Sequence, residues 1–179
     1  TSFSMKANLS QREPQMQSEW DKMDLYGLIR QARKGCPNYT LHDGPPYPTG
    51  DLHIGTGLNK VLKDFVVKYK TMRGYDAPYV PGWDCHGLPI EHRVMQELGD
   101  KAHDMAKSQI RARCRKYAMK FVEVQKKQFR GFGVTGDWDN PYLTLQHSYE
   151  SGILDVFARM VGAGFVYRAA VWMPDCVGG

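Results

Sequence analysis

The stretch that most constrains this chain runs from residue 39 to residue 80, where two β-type runs flank one amphipathic helix. Tyr39-Thr40-Leu41-His42 is the first run, and Asp43-Gly44-Pro45-Pro46 ends it, because two prolines remove backbone donors and fix φ. Turn-rich residues 47–52 lead into a helix expected from about His53 to Met72. Leu58, Val61, Leu62, Phe65, Val66, Tyr69 and Met72 fall there at three- and four-residue intervals, with Lys60, Lys63, Lys68 and Lys70 on the other faces. Gly74 suits the position just past the helix, and Tyr75 to Val80 is strand-like before Pro81-Gly82 breaks it. Strand, crossover helix and strand of this length make one βαβ unit with parallel strands. The expected fold class is therefore α/β, a doubly wound parallel sheet with flanking helices. Ligands in such sheets bind beyond the carboxyl ends of the strands. Those ends are 42–56 and 81–91, the segments richest in Pro, Gly, His and Asp.

The rest of the chain reads as support. Residues 15–34 predict one helix through Met16, Trp20, Met23, Leu25, Leu28 and Ile29, stopped by Gly35-Cys36-Pro37. A long basic helix is expected from about Lys101 to Arg130, with Ile110, Cys114, Tyr117, Phe121, Val124 and Phe129 as its buried stripe. Residues 131–142 read as a loop and 148–162 as a further helix. Gly131-Phe-Gly133-Val-Thr-Gly136 matches the dinucleotide pattern G-x-G-x-x-G, but it follows a helix and runs into turn sequence. It therefore reads as a plain loop. The four cysteines are far apart and form neither zinc spacing nor a disulfide framework, and no stretch is long enough for a membrane span. A net charge of +5 suits a polyanionic partner without demanding one. The expected compartment is the cytoplasm, with an organellar matrix as the alternative.

Two segments carry chemistry. His42-Asp43-Gly44-Pro45-Pro46-Tyr47, followed by His53-Ile54-Gly55-Thr56 at a helix start, offers a phosphate site without a P-loop. A helix N-terminus has free N–H groups and partial positive charge, and a histidine there can donate to a phosphate oxygen. The bland alternative is a surface histidine near a cap. Pro81-Gly-Trp-Asp-Cys-His-Gly-Leu-Pro-Ile-Glu91 places Asp84 at the end of a parallel strand, where it could pair with an ammonium group. Its alternative is a capped turn that packs Trp83 into the core.

Taken together, these blocks resemble the class I aminoacyl-tRNA synthetases. Pro46-Tyr-Pro-Thr-Gly-Asp-Leu-His-Ile-Gly-Thr56 is similar to their HIGH-type signature region, and Gly136-Asp-Trp-Asp-Asn-Pro-Tyr142 continues the likeness. His42 to Pro46 and Pro81 to Glu91 resemble the isoleucyl members in particular, with leucyl- or valyl-type specificity as the alternative. The resemblance implies the first half of a Rossmann-like (HUP-type) nucleotide-binding domain over residues 15–168. Residues 1–14 would be a flexible segment before it and 169–179 an atypical or truncated tail. It further implies activation of isoleucine by ATP, with magnesium accompanying the nucleotide, and transfer to tRNA(Ile). No protein-held metal is expected.

The catalytic residues implied are His53 and Thr56. The ATP site would comprise Pro46, Tyr47, Gly50, His53, Gly55, Thr56 and Asn59, and the amino-acid site Gly44, Pro46, Trp83, Asp84 and His86. Two departures stand out. The signature usually ends in His, where this chain has Thr56, and no lysine-rich second signature occurs. The expectation is thus of a fragment whose missing second half completes the catalyst. The alternatives are a non-catalytic paralogue that binds nucleotide, tRNA or a protein partner, and another nucleotidyltransferase.

Overall fold

A computed structural model of the protein describes residues 6–169. Its elements are α1 (Leu9–Lys22), α2 (Leu25–Ala32), α3 (Ile54–Met72), β1 (Gly82–Trp83), α4 (Leu88–Leu98), α5 (Lys107–Gly131), β2 (Tyr142–Leu143) and α6 (His147–Gly162), with a short 3₁₀ turn at Gly99–Ala102. The chain divides after Leu145 into two compact units, the second holding α6. The tail expected over 169–179 lies, Ala169 apart, outside the described residues.

The predicted βαβ unit is present in backbone direction but sparse in ladder. Extended residues 75–85 occupy the middle. On one side Tyr39 N–H donates to the Asp76 carbonyl and Asp76 N–H to Pro37, each at 2.9 Å, which makes an isolated parallel bridge between Asn38 and Asp76. On the other side β1 pairs in parallel with β2, Gly82 opposite Tyr142 and Trp83 opposite Leu143. That second ladder falls where the sequence suggested a break and a loop. Beyond the bridge the 39–46 segment does not ladder, because Pro45 and Pro46 have no N–H to give. A single bond replaces the ladder, from Asp84 N–H to the Pro46 carbonyl at 3.0 Å. The described residues thus give a small parallel sheet with helices, and a doubly wound sheet exceeds what they contain.

Three helical expectations change. The single helix over 15–34 is two, separated at Asp24, which takes a left-handed conformation (φ 49°) and caps α2 by accepting from Gly27 N–H. α1 also starts at Leu9, inside the segment 1–14 expected to be flexible. The long basic helix begins at Lys107, and its buried line is Ala118, Val122, Gln125 and Phe129, of which the stripe read from the sequence held only Phe129, with its Cys114 and Tyr117 partly buried against the core. Helix α4, over residues treated as part of the strand-end block, opens with Pro89 in its first turn, where a missing N–H costs nothing. In the Gly131–Gly136 match Gly131 closes α5 and residues 132–136 form a loop, as expected.

The core centres on Trp83, Phe129 and Trp138, whose ring centroids lie 6.2–6.3 Å apart, with Tyr79, Ile90, Ala118 and Val122 around them. Helix α3 meets this core in an unexpected way. Its buried residues are Gly57, Lys60, Asp64 and Val67, while Leu58, Leu62, Phe65, Tyr69 and Met72 are exposed. The apolar stripe read from the sequence exists, but it faces away from the core.

Candidate functional site

Both strand-end loops are held by Asp43. Its carboxylate is 1% exposed, accepts from Lys60 Nζ, from Lys63 Nζ at 2.7 Å and from Gly82 N–H at 2.9 Å, and its carbonyl accepts from the Tyr142 hydroxyl. One residue therefore ties the 42–46 loop to α3, β1 and β2. Burial alone would raise the Asp43 carboxyl, but the Lys60 charge and the three donors hold it below the usual carboxylate range. Burial lowers Lys60 to about 8 against the pull of Asp43, so at neutral pH the pair is ionised. Lys60 also donates to the Tyr79 hydroxyl at 2.9 Å and lies 5.1 Å from the Phe129 ring centroid. In the sequence Asp43 lies within the His42–Tyr47 segment and Lys60 off the apolar stripe of α3, and neither stands out there as a site residue.

The helix-start group is compact. His53 is the N-cap of α3: its Nδ1 accepts from Thr56 N–H at 3.4 Å, and its Nε2 lies 2.9 Å from Thr56 Oγ1. A neutral imidazole with its proton on Nε2 satisfies both contacts, accepting at one nitrogen and donating to the hydroxyl at the other. The Thr56 hydroxyl proton then points elsewhere. His53, Gly55 and Asn59 are exposed and Thr56 half-buried, at the positive end of a 19-residue helix. A Cβ at Gly55 would meet the His53 ring at 3.1 Å, so glycine keeps the imidazole where it is. Tyr47 and Gly44 are exposed, with Pro46 and Gly50 half-buried.

The second block splits by depth. Trp83 is fully buried and donates its indole N–H to Gln125 at 2.9 Å, so it belongs to the core and offers no surface to a ligand. Asp84, next along, is half-buried. Its carboxylate accepts from His86 N–H and the Thr144 hydroxyl, each at 3.4 Å. Thr144 follows β2, accepts from Cys85 N–H at 2.8 Å, and its carbonyl lies 3.1 Å from His86 Nε2. Nothing in the sequence pointed to Thr144, because its partners lie 58–60 residues away. Burial pushes the Cys85 thiol up to about 11, so it stays protonated and is no nucleophile at neutral pH.

Among the described residues no group of three His, Cys, Asp or Glu side chains could hold a metal. A magnesium ion at this site would be carried by nucleotide phosphates rather than by a protein cage. A cavity of about 360 Å³ beside α1 and α2, lined by Asp21, Asp24, Arg130 and Asp137, shares no residue with either loop and is not part of the site. No described helix is long and apolar enough to cross a membrane.

The sequence model of the family described as tRNA synthetases class I (I, L, M and V) matches residues 15–178. The chain belongs to that family, and the match runs through most of the stretch 169–179 set apart in the sequence reading. Its curated relatives include isoleucine–tRNA ligases. That of Kosmotoga olearia is 55% identical over 98% of this chain and 19% of its own length, and that of Thermotoga neapolitana is 59% identical over 98% and 20%. This chain therefore spans about a fifth of the length of the curated relatives it matches. A solved structure, the ternary complex of Agrobacterium radiobacter K84 agnB2 LeuRS with tRNA and LeuAMS, superposes with a TM-score of 0.69 at 21% identity, over 90% of this chain and 19% of that one. That likeness concerns the fold.

Proposed function

We propose that this chain supplies the ATP- and isoleucine-binding half of an isoleucine-activating site that charges tRNA(Ile) in the cytoplasm. The carboxylate oxygen of isoleucine bonds to the α-phosphorus of ATP as the bond to pyrophosphate breaks, which gives isoleucyl-adenylate. A ribose hydroxyl of the tRNA then displaces AMP. The first step needs in-line positioning and charge stabilisation, and no protein nucleophile.

The observation that carries this reading is the Asp84 N–H bond to the Pro46 carbonyl, which joins the two strand-end loops directly. On one side of it lies the start of α3. There His53, in turning its ring N–H from Thr56 to the nucleotide, donates to a phosphate oxygen, and the Thr56 hydroxyl, released from that contact, donates to another. Thr56 thereby fills part of the role that the usual signature histidine has. Pro46, Tyr47, Gly50, Gly55 and Asn59 shape the nucleotide side. On the other side Asp84 takes the α-ammonium, with Gly44, Pro46 and His86 at the rim. Trp83 supports Asp84 from the core and does not touch the amino acid. Magnesium, arriving with the nucleotide, would offset phosphate charge, and every residue role above stands without it.

Isoleucine-dependent ATP–pyrophosphate exchange by the native polypeptide tests this. Exchange with isoleucine well above valine and leucine is expected, and His53→Ala should lower its rate roughly 10²–10³-fold. Faster exchange with valine or leucine, or none with isoleucine, would overturn the reading.

A further inference from the structure

Helix α5 looks from its sequence like a basic surface helix, yet it makes five hydrogen bonds to one short loop. Gln125, 3% exposed, donates through its two Nε2 protons to the carbonyls of Tyr47 (3.2 Å) and Gly50 (2.8 Å). Its Oε1 accepts from the Trp83 indole at 2.9 Å. One turn further on, Gln128 accepts from Leu52 N–H at 3.0 Å and donates to Asp51 at 2.8 Å. Tyr117, nearer the start of the helix, donates to the Thr49 carbonyl at 3.1 Å. The loop from Tyr47 to Leu52 has no regular secondary structure, so its polar backbone groups need partners from elsewhere.

We propose that Gln125 is a positioning residue: its one carboxamide locks the nucleotide loop 47–50 to the residue preceding Asp84, so that the phosphate end and the ammonium end keep a fixed separation. The chemistry selects glutamine. The position needs two donors and one acceptor in a plane, in a buried place where an unpaired polar atom is costly, and only a carboxamide of this reach provides them. Gln128 and Tyr117 brace the same loop at its far end and its middle. This inference rests on the reading of the loop as the ATP site, but the mechanical part can be measured without it.

The test uses Gln125→Glu, which keeps the acceptor for Trp83 and replaces both donors with an oxygen facing two carbonyls. Tyr117→Phe, which removes one hydroxyl from a half-buried position, is the milder variant should the first not fold. Backbone amide exchange of residues 47–52 is read by mass spectrometry alongside ATP and isoleucine KM in pyrophosphate exchange. In Gln125→Glu we expect loop exchange about tenfold faster with α3 unchanged, and ATP KM raised about tenfold with kcat within threefold. Tyr117→Phe should move both readouts in the same direction by about threefold. Unchanged loop exchange in both variants would overturn the clamp. Faster loop exchange with ATP KM unchanged would overturn its role in positioning nucleotide. A wild-type polypeptide without isoleucine-dependent exchange would sink the functional reading alone, leaving amide exchange to decide the clamp.

Discussion

The two faces of α3 differ in a way that hydropathy alone would have reversed. The inward face carries Lys60 and Asp64, 1% and 4% exposed, paired with Asp43, Lys68 and Thr135. The outward face carries Leu58, Leu62, Phe65, Tyr69 and Met72, with Phe65 61% and Met72 75% exposed. A buried ion pair gives little net stability over an apolar one, but its geometry is directional. Lys60 can satisfy Asp43 and Tyr79 at only one rotation and one height of the helix. The polar face therefore fixes the register that places His53 at the loop, whereas an apolar face could slide. A contiguous apolar stripe of this kind is surface suited to contact.

The comparison breaks first at Lys60. Lys60→Met leaves Asp43 buried with Lys63 and Gly82 as its remaining partners. The expected loss is about 3 kcal/mol, the low end of the cost of orphaning a buried charge, because Lys63 survives. Urea denaturation checks this, and a loss under about 1 kcal/mol would mean that the inward pair fixes nothing.

Acid should probe the same pair more gently. The folded Asp43 carboxyl titrates below its ordinary value of 3.8, so its contribution is fully present above that value and is lost as pH falls through the folded one. The urea midpoint should stay flat from about pH 7 to 5 and decline below about pH 4, with the decline reduced in Asp43→Asn. The smallest effect is expected outside. Leu62→Gln, Phe65→Gln and Tyr69→Gln should each shift stability by less than about 0.5 kcal/mol, since these side chains are more than half exposed. A loss above about 2 kcal/mol for any of them would show that the outward stripe is covered.

Much of this was readable in the chain itself, and the limits are instructive. Helix α3 runs from Ile54 to Met72, as its periodicity and the Pro-Gly-rich loop before it required. Loops form within 42–56 and 81–91 because prolines and glycines stop strands by local sterics. Trp83 shows the limit: proximity in sequence to Asp84 suggested a shared pocket, but successive residues of an extended segment point to opposite sides. The Tyr142–Leu143 strand was hidden as well. Two residues have no period to detect, and they pair only because the β1 edge is there to receive them.

Sequence by itself determined what depends on neighbours within a few residues: the span of α3 and the loops that prolines enforce. Tertiary structure decided which face of α3 is inside and which glutamine holds the 47–50 loop. The physical reason is distance along the chain. Gln125 meets Trp83, Gly50 and Tyr47 across 42, 75 and 78 residues, and Lys60 meets Asp43 across 17. No local pattern encodes a partner that only folding brings near.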